Sequence, residues 1–579
     1  MCPPPRRFAA LIWGPVLMAS SLGSGPADDL LKITPPHSAA TLVVESLRDQ
    51  ARAIIASPLL DGLQRSSAFQ QGSGSLKVSQ VGDFARRIEA AFGIPIASIR
   101  DQVLGEAAVL AFFPGPDNAP QDSRGLLLTR RHDRGVVEKV FEAINQAQMR
   151  NGELLRIEQR TRGSMGYAAR IFGPGVKLYE FYVHLDDSTF AWSNSETLIK
   201  SVIDLKLAGG RGLADVEGFG KARQGLPASS LASLFVAPAM IRSLRAGSRP
   251  PANRVEKVLG LIFGHYADAI AFAAVGLVWN EGLAIHLHEV LNLRKLDAPI
   301  RGWLSGPPNP PDLGASVPAS ALAVASVDLD LPAIRQSAVS KLEPADFARF
   351  GNIRDVLRAL LAGVDPINDV LPRIKPHLLA YIDSSSHPDR RPLFPIVGAI
   401  GWSEAAGLPV LGPPIDGALR AFFALRAISL EDRAKMSDLR VETVVVDGTQ
   451  MTVLTNGKRN LAAYRVDGGR LVVGRGSDAV KRFGSTAGPL LFQEIRDRYL
   501  ADSGTFAILD MNRSVEVITK YRVPIARRLA TGPDRPIADV ERDLDQLLSV
   551  ASLFRAAAFV SEVCAGGSEV HRKLLLLAR

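Results

Sequence analysis

The sequence has few cysteines and, after its first residues, no apolar run long enough to span a bilayer. Only Cys2 and Cys564 occur among 579 residues. If an N-terminal leader is removed, Cys564 remains alone, so no internal disulfide is expected. A membrane-spanning helix needs about 20 apolar residues. The most apolar later stretch, residues 267–279, has only the length of a strand.

Motifs of nucleotide-binding and hydrolytic enzymes are also missing. The run Gly-Phe-Gly-Lys at 218–221 is followed by Ala222, so it lacks both the glycine spacing and the hydroxyl of a phosphate-binding loop. Neither Gly-x-Ser-x-Gly nor His-Glu-x-x-His occurs. The sequence therefore gives no motif-based argument for an enzyme and indicates no cofactor.

Composition and charge are those of an ordinary globular protein. Hydrophobic residues make up 47% and charged residues 22% of the chain, so the composition supports neither wholesale disorder nor a multi-span membrane protein. The net charge is +9, but the basic residues are scattered among acids. A nucleic-acid partner is therefore not expected, since such binders concentrate basic residues on one face. Weak attraction to anionic polymers or lipid head groups of an envelope is compatible with this charge.

The first 27 residues are predicted to be a signal peptide. Arg6 and Arg7 precede an apolar run at 8–18, and small residues follow at 19–27. No cysteine follows the apolar run, so a lipid-anchored start is not indicated. This pattern predicts export to the periplasm or cell envelope; an N-terminal core helix and an uncleaved anchor are the alternatives.

The rest of the chain reads as two copies of one unit. A pattern of strand, Asp-led turn, strand and helix occurs twice, and an offset of 281 aligns Asp186 with Asp467 and Lys200 with Lys481. The run Pro-Pro-Asn-Pro-Pro at 307–311 lies between the copies and predicts a stiff linker. The predicted domain map is a first half at 36–300, a linker at 301–316 and a second half at 317–579.

Each half alternates helical periodicity with strands joined by short turns. Asp447-Gly448 is the strongest hairpin signal, because a type I′ turn needs positive φ at both central residues. Ser193 and Glu196 have the spacing of a capping box at the start of a helix. Short hairpin links indicate antiparallel strands. The predicted fold class is therefore α+β, with a mostly antiparallel sheet and packed helices in each half.

Three local patterns resemble an uncharacterised family of exported bacterial proteins that is defined only by a domain of unknown function. They are Pro-x-Ser-Ala before an apolar strand, at 36–39 and 318–321, the hairpin Val183–Trp192, and the helix start Ser-Asn-Ser-Glu-Thr-Leu-Ile-Lys at 193–200. The resemblance implies a signal sequence and repeated α+β units. It implies no activity and no site residues.

His286 and His288 are the candidate metal ligands. They lie at positions i and i+2 of a predicted strand, hence on one face, a spacing found in metal sites. The sequence does not supply a third ligand, and a solvated polar sheet face is the alternative.

Arg130, Arg131, His132 and Arg134 form a candidate anion-binding segment. They directly precede a predicted helix, where free amides and the helix dipole favour an anion. The second half has no such cluster, and an ordinary charged loop is the alternative.

Several aspartates also resemble functional groups. Asp186, Asp187 and Asp467 are better explained as turn residues than as catalytic acids. Asp328 and Asp330 are spaced like the start of a calcium loop, but the later glycine and glutamate are missing.

The leading functional hypothesis is an exported, non-catalytic binding or scaffolding protein of the bacterial cell envelope, with an unknown ligand or envelope protein as its partner. Duplicated units commonly share a pocket at their boundary, so a ligand is expected between the halves. One alternative is a carrier of an apolar or lipid-like ligand. Another is an unrecognised periplasmic hydrolase, which would require a carboxylate and a hydroxyl beside His132, His184, His265 or His286.

Overall fold

The structure is a computed structural model. It describes residues 25–73, 89, 95–115, 122–131, 133–173, 179–246, 264, 266–280, 282–307, 317–341, 344–384, 394–404, 406–434, 439–457, 460–484, 488–500, 503–530 and 536–579. The predicted leader lies almost wholly outside these residues, as does most of the predicted linker. The predicted end of the leader, residue 27, falls within the first described helix, Pro26–Lys32, where Ala27 is buried.

The chain divides into two compact units. Unit 1 comprises Met1–Pro250, Ala267–Asn292 and Ser568–His571; unit 2 comprises Pro251–Tyr266, Leu293–Gly567 and Arg572–Arg579. Unit 1 therefore includes a short segment from near the C-terminus.

Unit 1 contains an antiparallel sheet. Its strands are β1 (Ala40–Glu45), β2 (Ala107–Phe113), β3 (Arg124–Arg130), β4 (Leu154–Arg162), β5 (Met165–Phe172), β6 (Tyr179–His184), β7 (Thr189–Ser193), β8 (Ala232–Val236), β9 (Ile270–Trp279) and β10 (Gly282–Leu291). Pairing gives the spatial order β10-β9-β8-β1-β2-β3-β7-β6-β5-β4, with every neighbouring pair antiparallel.

Helices cover part of this sheet and close its core. The helix Glu196–Ala208 buries Leu198, Ile199, Val202 and Ile203, a helical spacing that directs one apolar stripe at the core. The helices are Pro26–Lys32, Leu47–Ile55, Pro58–Arg65, Ser67–Ser73, Ile96–Val103, Arg134–Arg150, Glu196–Ala208, Glu217–Gln224 and Pro238–Ala246, with a 3₁₀ turn at Leu213–Asp215.

Unit 2 has its own run of paired strands. They are β11 (Ala321–Asp328), β12 (Ile374–Asp383), β13 (Ile396–Trp402), β14 (Arg440–Val446), β15 (Thr449–Thr455), β16 (Asn460–Asp467), β17 (Arg470–Gly474), β18 (Thr505–Asp510), β19 (Phe554–Cys564) and β20 (Glu569–Ala578), of which β20 belongs to unit 2 from Arg572 onward. The order is β20-β19-β18-β11-β12-β13-β17-β16-β15-β14.

The helices of unit 2 follow the strands in the same alternating fashion. They are Ala298–Leu304, Leu331–Val339, Pro344–Leu360, Gly412–Ala434, Ser477–Arg482, Leu490–Ile495, Met511–Lys520, Arg522–Leu529 and Ile537–Ala551. Shorter turns of 3₁₀ type lie at Leu293–Lys295, Leu371–Arg373 and Ala565–Gly567, and π-type turns at Pro366–Val370 and Arg496–Leu500.

The α+β class and the antiparallel sheets predicted from the sequence are confirmed. The strand order of unit 2 is that of unit 1 with each strand number raised by ten, as a copied unit would give; the duplication itself stays a prediction. Asp447 and Gly448 join β14 to β15 with φ of 46° and 78°, the positive values that the sequence predicts for this turn.

One local prediction is wrong. The helix after β7 has Ser195 as its N-cap without a side-chain cap bond. The Ser193 hydroxyl instead donates to the carbonyl of Gly125 at 2.6 Å, and Glu196 accepts from Tyr167 at 2.6 Å, so no capping box forms.

None of the helices in the described part of the chain combines the length and the apolarity needed to cross a bilayer.

Candidate functional site

The predicted anion-binding segment contains a buried arginine that is fully engaged by the protein. Arg131 is 1% exposed. Its Nε donates to the carbonyl of Asp187 at 3.1 Å and its Nη2 to that of Asp186 at 3.0 Å, while Nη1 donates to Nδ1 of His184 at 2.7 Å. Arg131 therefore stabilises the turn between β6 and β7 by binding its backbone carbonyls.

The two neighbouring arginines also have acidic partners. Arg130 pairs with Asp29 at 2.7 Å and approaches Glu106 at 3.5 Å. Arg134 pairs with Glu138 at 2.6 Å and with Asp187 at 3.0 Å. His132 lies outside the described residues. Because these contacts compensate the positive charges internally, we do not propose an anion site here.

The aspartate that leads this turn acts as a structural acceptor. One carboxylate oxygen of Asp186 accepts from the amides of Ser188 and Thr189 at 2.8 and 2.7 Å, and the other accepts from Lys206 at 2.7 Å. Burial alone would raise the pKa of Asp186, but the lysine and the amides hold it well below its usual range. This is turn chemistry, as the sequence suggested.

His184 is held in its neutral form. Burial, followed by the charges of Arg131 and Arg134, lowers the pKa of His184 to about 4. Its ring lies among the aromatic rings of Tyr182 and Phe190. A neutral imidazole that accepts from Arg131 and packs on aromatic rings does not resemble a hydrolytic base.

A different histidine cluster lies within unit 1, where β10 and the first residues of β20 come together. His288, Glu569 and His571 each place a potential ligand atom within 4.8 Å of the others. Nε2 of His288 lies 3.4 Å from Oε2 of Glu569, and Nε2 of His571 lies 3.6 Å from the same oxygen. The two imidazole rings stack, with centroids 4.0 Å apart and an angle of 27° between the ring planes.

The orientation of His288 is set by its surroundings. The side chain is 1% exposed, and its Nδ1 lies 3.0 Å from the carbonyl oxygen of Ala222 at the end of a helix. A carbonyl only accepts, so Nδ1 carries the proton and Nε2 has a free lone pair. Nε2 is buried and has no hydrogen-bond partner.

The sequence identified one of these three residues as a metal candidate. His288 was paired there with His286, but His286 is not part of the cluster. Neither Glu569 nor His571 is predicted from the sequence as a ligand. No local signal could reveal this grouping, because Glu569 and His571 lie about 280 residues beyond His288 in the chain.

Unit 2 carries an exposed apolar surface on two helices that pack against each other, Pro344–Leu360 and Gly412–Ala434. The second of these buries Phe423 and Ala427 against β15 and β16 and turns a second apolar stripe outward. Six large apolar side chains on the two helices are 42% to 61% exposed. We call them the two-helix face: Ile353, Val356, Leu357, Phe422, Leu425 and Ile428.

Basic residues also lie on the two helices. Arg358 and Arg426 are both exposed on the same two helices. On the second helix, Arg420 forms an ion pair with Asp416 at 2.7 Å. On the first helix, Asp355 is an exposed acid close to Arg358 in the sequence. A helix that is apolar on both sides is normally covered on both sides. The two-helix face is therefore a candidate binding surface.

Comparison with known proteins gives no relative for this chain: no family model matches it, and neither a curated protein nor a solved structure is significantly similar.

Proposed function

We propose that this chain is an exported, non-catalytic binding protein of the bacterial cell envelope, and that it attaches to an anionic membrane surface through the two-helix face. The observation that carries the proposal is the outward apolar stripe of Phe422, Leu425 and Ile428 on a helix that is already buried on its opposite side. The proposal of export depends on the leader-like N-terminal sequence. The proposed duplication depends on the repeated sequence pattern and on the shared strand order of the two units.

The energetics fit reversible attachment. At about 25 cal/mol per Å² of apolar surface removed from water, each half-exposed Leu, Ile or Phe contributes about 1 kcal/mol. Six such side chains contribute about 6 kcal/mol. Each arginine near an anionic surface adds about 1 kcal/mol. A sum of about 8 kcal/mol corresponds to micromolar affinity, which suits a peripheral protein that rests on a membrane without spanning it.

Charge favours a membrane over a second copy of this chain as the occupant. Each copy carries a formal net charge of +9 and exposes Arg358 and Arg426 on these helices, so two copies repel each other. An anionic bilayer surface attracts them instead, and it also accepts the apolar side chains below its head groups.

Vesicle co-sedimentation tests the proposal. The purified full chain is expected to sediment with vesicles that contain phosphatidylglycerol, and binding is expected to weaken in pure phosphatidylcholine and at high salt, because the arginine contribution is screened. The double variant Phe422→Ser/Leu425→Gln should bind about thirtyfold more weakly, since about 2 kcal/mol of apolar transfer is lost.

Leu490→Gln is the matched control. Leu490 is 82% exposed on another helix of unit 2 and lies outside the two-helix face, so its replacement should leave vesicle binding unchanged. The proposal fails if the full chain ignores anionic vesicles or if both variants lose binding equally. It also fails if the double variant only converts a dimer into a monomer, which would make a second copy the occupant.

A further inference from the structure

We propose that His288, Glu569 and His571 form a binding site for a divalent transition metal of the zinc class. The site is independent of the two-helix face and of the membrane attachment proposed above. It would bind the ion through two imidazole nitrogens and one carboxylate oxygen, with a water molecule as a fourth ligand.

The two distances from the histidine nitrogens to the carboxylate oxygen match a tetrahedral zinc site. Zinc binds nitrogen and carboxylate oxygen at about 2.0–2.2 Å, so two ligands of a tetrahedral ion lie about 3.4 Å apart. The Nε2 atoms of His288 and His571 lie 3.4 and 3.6 Å from Oε2 of Glu569. Hydrogen bonds between nitrogen and oxygen are shorter, at 2.7–3.2 Å. The spacing therefore suits three atoms around one ion better than a hydrogen-bonded pair.

The tautomer of His288 is the one that a metal ligand requires. Its Nδ1–H donates to the carbonyl of Ala222. Metal-bound histidines typically donate their second ring nitrogen to a carbonyl or carboxylate, which fixes the ring and directs the lone pair of the other nitrogen at the ion. Nε2 of His288, buried and without a hydrogen-bond partner, points into the group formed with Glu569 and His571.

A glycine makes room for this imidazole. A Cβ at Gly225 would lie 1.8 Å from Nδ1 of His288, which no packing adjustment of a fixed ring tolerates. The φ of Gly225 is −79°, a value open to any residue. The requirement for glycine is therefore steric, and it comes from the position of His288.

The simplest alternative is a structural ion pair between a protonated His288 and Glu569. That arrangement would place a proton on both ring nitrogens and shorten the contact to Glu569 to charge-assisted hydrogen-bond length, about 2.7–2.9 Å. It would also stack a charged ring on His571 at 4.0 Å. Two neutral imidazoles facing one carboxylate avoid both difficulties, and a shared cation satisfies all three groups.

The donor set selects the class of ion. Imidazole suits zinc, copper, nickel and iron, whereas calcium and magnesium prefer sites made of oxygen atoms. The side chains of Glu569 and His571 are 19% and 21% exposed, so the site opens to solvent on that side and leaves space for water in the fourth position. Two histidines, one glutamate and one water form a known tetrahedral set for zinc.

The test uses the untagged full chain, stripped with a chelator and titrated with Zn²⁺ by calorimetry. We expect one equivalent of Zn²⁺ per chain, a rise in the melting temperature of unit 1, and visible ligand-field bands of tetrahedral Co²⁺ when Co²⁺ replaces Zn²⁺. Replacing a second-shell group lowers metal affinity by about 10–100-fold. His571→Ala and Glu569→Gln each remove a direct ligand, so they should lower it by about a hundredfold or more.

His286→Ala is the matched control, because His286 lies two residues before His288 on the same strand but outside the cluster. It should leave zinc affinity and stoichiometry unchanged. Gly225→Ala provides an independent variant that keeps all three ligands; by displacing His288 it should weaken zinc binding. Circular dichroism before titration confirms that each variant is folded.

Three results would overturn the proposal. The first is a folded chain that takes up no Zn²⁺ in stoichiometric amount. The second is unchanged affinity in both His571→Ala and Glu569→Gln. The third is an equal loss of affinity in His286→Ala, which would indicate adventitious binding to surface histidines.

Discussion

Replacing Arg131 with methionine is expected to destabilise unit 1 strongly, although Arg131 lies in a run of basic residues that looks like a charged surface loop. The substitution keeps an unbranched apolar stem of similar length and removes only the guanidinium. Three acceptors then lose their donor: the carbonyls of Asp186 and Asp187 and Nδ1 of His184. The turn between β6 and β7 loses the group that holds it.

The magnitude follows from burial. A hydrogen bond that involves a charged group contributes about 1.5–3 kcal/mol, and a buried partner left without its donor costs about 1–3 kcal/mol. These terms overlap, and water can reach part of the turn, so the loss is expected to be about 3–5 kcal/mol, as for other broken buried charge networks. Arg134→Met is the control. Arg134 is half exposed in its ion pairs, where solvent screens the charges, so Arg134→Met should destabilise the fold far less than Arg131→Met.

Hydrogen exchange read by mass spectrometry measures both the size and the place of the effect. Peptides from β3, β6 and β7 should exchange much faster in Arg131→Met than in Arg134→Met, while peptides from β14–β17 in unit 2 act as an internal reference. A second readout is the NMR titration of His184. Its pKa of about 4 should rise in Arg131→Met, because one of the positive charges that lower it is gone.

Two outcomes would refute this reasoning. Equal destabilisation by Arg131→Met and Arg134→Met would show that the guanidinium of Arg131 is not specially buried. An unchanged pKa of His184 in a folded Arg131→Met variant would show that the two side chains do not interact. Either result would reopen the segment as an exposed anion-binding loop.

Three further predictions concern stability. The pKa of His184 is 6.5 in the unfolded chain and about 4 in the folded one, so the unfolded chain binds the proton first as the pH falls. Urea midpoints should therefore fall as the pH drops from 6.5 to 4. His184→Phe should make the urea midpoint depend less on pH. Gly448→Ala should lower stability by about 1 kcal/mol because φ is 78° there, whereas Gly398→Ala, which has open space around it, should not; thermal melts compare the two. Arg482→Leu removes the donor that lies 2.8 Å from the fully buried carboxylate of Asp383. The free energy of unfolding measured in urea should fall by about 3–5 kcal/mol, because the carboxylate stays buried without its partner. Adding Asp383→Asn to this variant removes the buried charge and should restore most of that loss.

What the sequence could predict was local. Alternating apolar positions and turn residues gave the α+β class, and Asp447-Gly448 gave its turn, because both depend on neighbours in the chain. The capping box at Ser193 and Glu196 was wrong for the opposite reason. Gly125 and Tyr167, which take up those two side chains, come from other strands.

The candidate sites depended on long-range packing. His288 was identified by its i, i+2 spacing with His286, but its actual neighbours are fixed by which strand segment lies beside β10. Arg131 was grouped with Arg130 and Arg134 because all three are basic. Arg131 differs from the other two arginines because it is buried. Its guanidinium binds the carbonyls of a turn about 55 residues further along the chain, a contact that neighbouring residues in the sequence do not reveal.

The two units offer an internal comparison that bears on the two-helix face. The helix Arg134–Arg150 of unit 1 and the helix Gly412–Ala434 of unit 2 occupy the same place in the strand order, after β3 and β13 respectively. The outward positions of the first helix are mostly polar: Glu138, Lys139, Glu142, Gln146 and Arg150, with Met149 as the apolar exception. The second exposes Phe422, Leu425 and Ile428 instead.

A fold of this topology therefore does not need apolar residues at those positions. If they serve binding, Leu425→Gln should leave the melting temperature of the chain unchanged or slightly higher, because an exposed leucine adds little to a folded core and glutamine is an equally good helix former. The same variant should bind anionic vesicles about fivefold more weakly, which corresponds to about 1 kcal/mol. A lower melting temperature with unchanged vesicle binding would mean that Leu425 serves the fold, and the membrane proposal would lose the observation on which it rests.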